Sequence, residues 1–298
     1  MGVLFGLGAA LFWGLGDYLI TLLTRLVGTT RALVAIQLLS LLAWIVYGVL
    51  GGFGAPVGEN VWLLAFLAGA CHVFGLVFTY KAFEIGTLSI VSPIASGFAI
   101  VTAVLAFASG ERPGAVVAAG TLLLILGVVL VSRSVAADEV RSFRGVPHAI
   151  GSAVGFGVMF WLFFYHVQPS FEHVQPELKY VSPLVVLKVM ASAYAVGALA
   201  LRRPTSADGE SEIARVAPTF MRIAPLAVGA ALADTAAWLS YIYGTERHYV
   251  SVVTALASLF SAFTVFLAWM FLKERLRPHQ WAGVIAILVG VLLVSLPT

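Results

Sequence analysis

The sequence predicts an all-α integral membrane protein, with ten transmembrane helices arranged as two inverted five-helix repeats around a central cavity. Three observations carry that prediction. The first is composition: 61% of the 298 residues are hydrophobic and only 10% are charged, against about 25% charged in an ordinary soluble domain, and mean hydropathy is +1.01. The second is an internal repeat. Glu111–Ser132 returns as Glu274–Ser295, with Glu111/Glu274, Arg112/Arg275, Gly120/Gly283 and Gly127/Gly290 all 163 residues apart (274 less 111). Solenoid units recur about every 20–50 residues, so a period this long is half of a duplicated domain. The third is that both copies are apolar runs of bilayer-crossing length that follow a charged turn, roughly 20 residues at about 1.5 Å of rise each.

Such runs fall at 2–24, 32–53, 61–82, 88–108, 114–132, 147–166, 181–201, 223–243, 250–272 and 279–297. They divide the chain into an N-terminal repeat, 1–132, a cytoplasmic linker, 133–146, and a C-terminal repeat, 147–298. The first run carries Asp17 and ends at Arg25, with no basic stretch before it and no small-residue cleavage site, so it reads as a retained helix and not a leader. Lys and Arg count 13 on one side of the ten spans and 3 on the other, with Lys188 inside a span. The basic side is therefore expected in the cytoplasm and both termini outside, in the cell (inner) membrane. With five spans in each half, Arg112 and Arg275 lie on opposite faces, as an inverted repeat requires. The net charge of +3 sits in short loops and points away from nucleic acid; the single Cys71 leaves no internal disulfide.

The spans differ in what they carry. Span 1 has Trp13 and Asp17 four residues apart on one face, with Tyr18 beside them. Span 3 has a small-and-polar stripe, Ala65, Ala68, His72, Gly75 and Thr79. Span 4 has Ser89, Ser92 and Ser96 on one face, and Pro93, which removes a backbone donor and is expected to kink the helix or act as a hinge. Spans 5 and 10 repeat a Gly-x6-Gly face suited to close helix packing, or to a dimer contact. Span 7 holds Lys188. Span 8 aligns Asp234, Trp238 and Tyr241, flanked by Ala227, Ala230 and Ala237. Span 9 repeats the hydroxyl stripe as Ser251, Thr254, Ser258 and Ser261, at an offset of 162 (251 less 89). Glu111 and Glu274 precede their spans, where an acid complements the helix dipole, so both read as structural. Lys81, Glu84, Glu246 and Arg247 read as solvated rim charges at span ends.

Two acidic-turn motifs, each followed by a Gly-x6-Gly helix in a ten-span chain, resemble the EamA-type branch of the drug/metabolite transporter superfamily. Tyr80–Ser132 and Tyr243–Ser295 carry the resemblance. It implies alternating access and a cavity lined mainly by spans 1, 3, 4, 6, 8 and 9, with spans 5 and 10 peripheral.

Ionisable groups at mid-depth cost about 2.5–3.5 kcal/mol each on translocon scales and mark transport paths. Asp17, His72, Lys188 and Asp234 are therefore the first candidates for binding substrate or protons. The alternative is that they only pair with one another to hold helices together; Lys188 could neutralise an acid or meet a substrate carboxylate. An acid beside an aromatic ring suits a cation, which adds Trp13, Tyr18, Trp238 and Tyr241, though single aromatics in a span also serve packing. The hydroxyls Ser92, Ser96, Thr254 and Ser258 either face the cavity or bond their own backbone and neighbouring helices. The sequence contains no H-E-x-x-H, no G-x-S-x-G and no phosphate-binding Gly loop, so an enzyme is not expected, and neither cofactor nor metal is implied. The expectation is a secondary transporter, most simply an exporter of an amino acid, amine or related metabolite, with protons as possible partners. The alternative is a facilitator for sugars or nucleoside-like metabolites, in which the hydroxyls matter more than the acids. The partners expected are the bilayer and a small solute, with the chain a monomer or homodimer.

Overall fold

The structure, a computed structural model, describes residues 2–109, 114–132, 144–174, 178–201, 220–245, 257, 259–273 and 278–294. Its regular elements are helices: α1 Gly2–Val27, α2 Thr29–Gly51, α3 Val61–Ile85, α4 Leu88–Ala95, α5 Phe98–Ala108, α6 Ala115–Ser132, α7 Val146–Leu162, α8 Val181–Ala200, α9 Phe220–Thr245, α10 Phe260–Phe271 and α11 Pro278–Val294. No strand occurs among the described residues. Six of the helical segments are long and apolar enough to cross a membrane: those within α1, α2, α3, α8 and α9, and the run from Val146 to Phe171.

Local chemistry sets the ends. α1 stops at Gly28, whose φ of 80° is open to a residue without a Cβ, and α2 begins one residue later. α7 does not stop at Leu162. It continues as one turn of π-helix, Phe163–Val167, and one of 3₁₀-helix, Gln168–Phe171, so the sixth run reaches further than its apolar stretch suggests.

The fourth run is a different case. A kink at Pro93 was the expectation. Instead the helix runs through Pro93 and breaks at Ser96–Gly97, between α4 and α5. The equivalent position 162 residues on, Leu259, also lies in a turn, immediately before α10. No proline stands near it, so proline alone does not account for the break.

Between-half packing dominates. α1 lies along α9, α3 along α7, α2 along α8 and α6 along α11. Close approach is secured by glycines. A Cβ at Gly14 would come within 2.6 Å of Phe263 Cβ and 2.8 Å of the Phe260 carbonyl oxygen; one at Gly157 would come within 2.4 Å of Val101 Cβ and 2.9 Å of the Phe98 carbonyl oxygen. Phe98/Phe260 and Val101/Phe263 are both 162 apart. The next turn repeats the correspondence. Thr102 Oγ1 lies 3.0 Å from both the Phe98 and the Gly157 carbonyl oxygens, and Thr264 Oγ1 lies 3.0 Å from that of Phe260 and 3.4 Å from that of Gly14. The same helix contact is thus built twice, from different sequence.

α6 and α11 pack chiefly on each other, with Gly127 against the Gly283 backbone, and α11 adds Val284 and Ile287 to the buried interior. Large apolar side chains such as Leu50, Trp62, Phe66, Leu122, Phe266 and Trp269 point outward. Water does not tolerate so much exposed apolar surface; acyl chains do.

Two buried clusters fill the interior. One contains Ile20, Leu23, Leu33, Leu76, Tyr80 and Phe83; the other contains Trp44, Met159, Phe163, Tyr180, Leu184 and Trp238. The cavity described next takes walls from both.

Candidate functional site: a central cavity with two unlike acids

A cavity of about 120 Å³ lies among α1, α2, α3, α7, α9 and the broken ends of α4/α5 and α10. One water needs about 10–15 Å³ of such space, so a small solute fits. Trp13, Asp17, His72, Asp234 and Trp238 all line it. So do Gln37, Thr79, Tyr80 and Ser152, together with Phe98, Phe156, Phe160 and Phe260.

Asp17 sits on α1, one turn below Trp13. Its Oδ2 accepts a hydrogen bond from Ser92 Oγ on α4 at 2.9 Å and one from Thr264 Oγ1 on α10 at 3.3 Å. No cation meets it among the described residues. The aromatic wall begins one turn away: Trp13 packs edge-on to Trp238 at 5.6 Å between centroids, and touches Tyr241 at 5.8 Å and Phe260 at 6.3 Å.

Asp234, on α9, is held otherwise. Lys188 Nζ on α8 donates to its Oδ2 at 2.6 Å, and Ser40 Oγ on α2 donates to the same oxygen at 3.2 Å. The Lys188 side chain is 1% exposed and that of Asp234 21%. A lysine buried this deeply needs its counter-ion, because an uncompensated buried charge costs several kcal/mol. Of the two roles open to Lys188, the structure has it neutralise an acid.

His72 lines the cavity from α3 with its ring edge-on to Phe156, 5.7 Å away. One polar contact crosses from α3 to α7, between the hydroxyls of Thr79 and Ser152.

The remaining candidates separate. Tyr241 is buried against Trp13 and Phe164, behind the cavity wall. Tyr18 packs on Phe271 at 5.7 Å and is not among the lining residues. Consecutive residues on a helix point about 100° apart, so the position beside Asp17 turns away from it. Ser96 donates to its own backbone, the Pro93 carbonyl, at 2.7 Å. Thr254 and Ser258 lie outside the described residues, as do Glu111, Glu274, Glu246 and Arg247.

Two residues read from sequence as rim charges, Lys81 and Glu84, join Arg25 in a polar cluster at the end of α3. Glu84 Oε2 accepts from Thr29 N at 3.2 Å, Thr29 Oγ1 at 2.6 Å and Lys81 Nζ at 3.0 Å. Arg25 Nη2 donates to the Gly86 carbonyl at 2.9 Å. These bonds fasten the α1–α2 turn to the end of α3, just beyond Tyr80 and Phe83.

Sequence reasoning missed Gln37 and Ser40, both on α2, and Thr264. Gln37 and Ser40 share span 2, Thr264 lies three residues beyond the hydroxyl stripe of span 9, and the pairing of Ser40 with Asp234 links positions 194 apart. A polar residue in span 2 was the available signal.

With this geometry in place, the comparisons with known proteins are specific. The chain belongs to the EamA-like transporter family, whose model matches residues 1–133 and 178–296. It is therefore a multi-pass membrane transporter of small solutes. It matches no curated protein. A solved structure titled only "Crystal structure of protein" is similar in fold, with a TM-score of 0.61 and 16% identity, covering 98% of this chain and 95% of that one.

Proposed function

We propose that the protein is a secondary active exporter of a small organic amine or amino acid, that it works by alternating access, and that it holds the solute's ammonium group at Asp17. One observation carries the reading: a carboxylate in the cavity wall whose bonded partners among the described residues are two hydroxyls, with an aromatic wall beside it. An ammonium there gains both the ion pair and the negative faces of the rings. The hydroxyls speak against the sugar-facilitator alternative, since Ser92 is spent on Asp17 and Ser96 on its own backbone.

Proton antiport is the proposed drive, with Asp17 exchanging a proton for the ammonium. Ten spans in two oppositely oriented halves are the proposed frame, supported by the doubled contact of Gly14 with Phe260–Thr264 and of Gly157 with Phe98–Thr102. The proposed setting is the cell (inner) membrane, with basic loops in the cytoplasm and both termini outside, on the Lys/Arg count. The reading assigns the protein no catalysis, and either a monomer or a homodimer satisfies it.

The test is flux of a labelled amine into proteoliposomes under an imposed pH gradient. Uptake should follow the gradient and fall at least about tenfold in Asp17→Asn. Uptake indifferent to Asp17→Asn removes Asp17 from the mechanism.

A further inference from the structure

Two side chains in the cavity wall carry polar atoms that no described protein group satisfies. His72 is 3% exposed, and neither Nδ1 nor Nε2 has a partner. Gln37 is 1% exposed; its Nε2 donates to the Tyr80 hydroxyl across 3.5 Å, while its Oε1 has no partner. Buried polar atoms are normally paired, and both of these residues line the cavity a solute would occupy.

Charge narrows what they can receive. Asp17, once it has released its proton, contributes one negative charge. Asp234 and Lys188 cancel at 2.6 Å. His72, as neutral imidazole, and Gln37 add none. A monocation neutralises the cavity. A zwitterion brings a second negative charge, and among the described residues no unpaired cation lines the cavity to meet it.

We propose that His72 and Gln37 form a polar wall for a neutral hydroxyl or carboxamide on the solute whose ammonium sits at Asp17, so that the preferred substrates are amino alcohols and amino amides, with zwitterionic amino acids disfavoured. This rests on the Asp17 reading above and decides between its two substrate classes. A neutral imidazole offers one donor and one acceptor, and an amide side chain offers both, which matches a hydroxyl or a carboxamide. A site built to hydrogen-bond such a group discriminates against the analogue that lacks it.

The experiment is calorimetric binding to the full chain in lipid nanodiscs at neutral pH, using three ligands with the same ring and amine: phenylalaninol, phenethylamine and phenylalanine. Phenylalaninol should bind at least about tenfold tighter than phenethylamine, and phenylalanine should bind weakest. In the Gln37→Met/His72→Leu double variant the ratio of phenylalaninol to phenethylamine affinity should fall to about one. Phenylalanine binding as tightly as phenylalaninol overturns the proposal on the wild-type protein alone, whether or not the variant folds. So does a double variant that keeps the wild-type ratio. If phenethylamine binds and Asp17→Asn does not weaken it, or if none of the three binds, the Asp17 reading itself is wrong and the proposal falls with it.

Discussion

Asp17 and Asp234 are the same residue type, both line one cavity, and they come from opposite halves of the chain. Among the described residues, one is met by a buried lysine and a serine, the other by two hydroxyls alone. The difference teaches that burial of an acid in a membrane helix does not define its role. The partner does. Asp234 is a fixed half of an ion pair that locks α9 to α8 and, through Ser40, to α2. Asp17 meets hydroxyls and no cation among the described residues, so its carboxyl stays open to whatever enters.

The comparison can be broken from either side. The largest effect is expected at the ion pair. Asp234→Ala leaves the Lys188 ammonium buried without a counter-ion and should cost about 3–5 kcal/mol, read as a large fall in melting temperature in detergent. Lys188→Met combined with Asp234→Leu should recover most of that loss, because replacing a buried pair with apolar groups is often close to neutral. If the double variant is as unstable as the single, the pair is not the reason.

A smaller stability effect is expected at the doubled helix contact. Gly157→Ala places a methyl against Val101 and the Phe98 backbone, and Gly14→Ala does the same against Phe263 and the Phe260 backbone. Overpacking of this kind costs about 1–3 kcal/mol. The two variants should lose similar stability; a loss at only one would argue that the contacts are not equivalent.

Next comes Ser92→Ala, which removes the 2.9 Å donor to Asp17. A hydrogen bond to a charged group is worth about 1.5–3 kcal/mol, and part of it returns through Thr264. The amine Kd should change by a few-fold, while Ser96→Ala, whose hydroxyl serves its own backbone, should leave the Kd unchanged. Equal effects at Ser92 and Ser96 would mean that the hydroxyl stripe acts as a unit.

Much of this was legible in the sequence, and the division has physical causes. Apolar runs of bilayer length are a local signal, so α1, α2, α3, α8 and α9 follow from composition. Asp17, Asp234 and the two tryptophans stand out because acids and large polar-edged rings are costly among aliphatics. What sequence spacing left open was pairing. Lys188 had two acids to choose from, and helix order, not spacing, brings α8 to α9. Gln37 was passed over because one amide in span 2 looks like helix glue until the fold sets it in a cavity wall with its oxygen unmet. Pro93 pointed to the wrong place: α4 runs on through Ala95, two residues past it, and the break falls at Ser96–Gly97, the position matching the turn at Leu259, where no proline stands nearby. Tyr18 was grouped with Asp17 by adjacency, which on a helix puts two side chains on different faces.

The central claim is that the two acids are not interchangeable, and one titration tests it. The Kd of phenethylamine is measured for the wild type, for Asp17→Asn and for the Lys188→Met/Asp234→Leu double variant. The account predicts at least a tenfold weakening, about 1.4 kcal/mol, in Asp17→Asn and affinity within about threefold of wild type in the double variant. Undiminished binding in Asp17→Asn, or loss of binding only when the ion pair is removed, would contradict it.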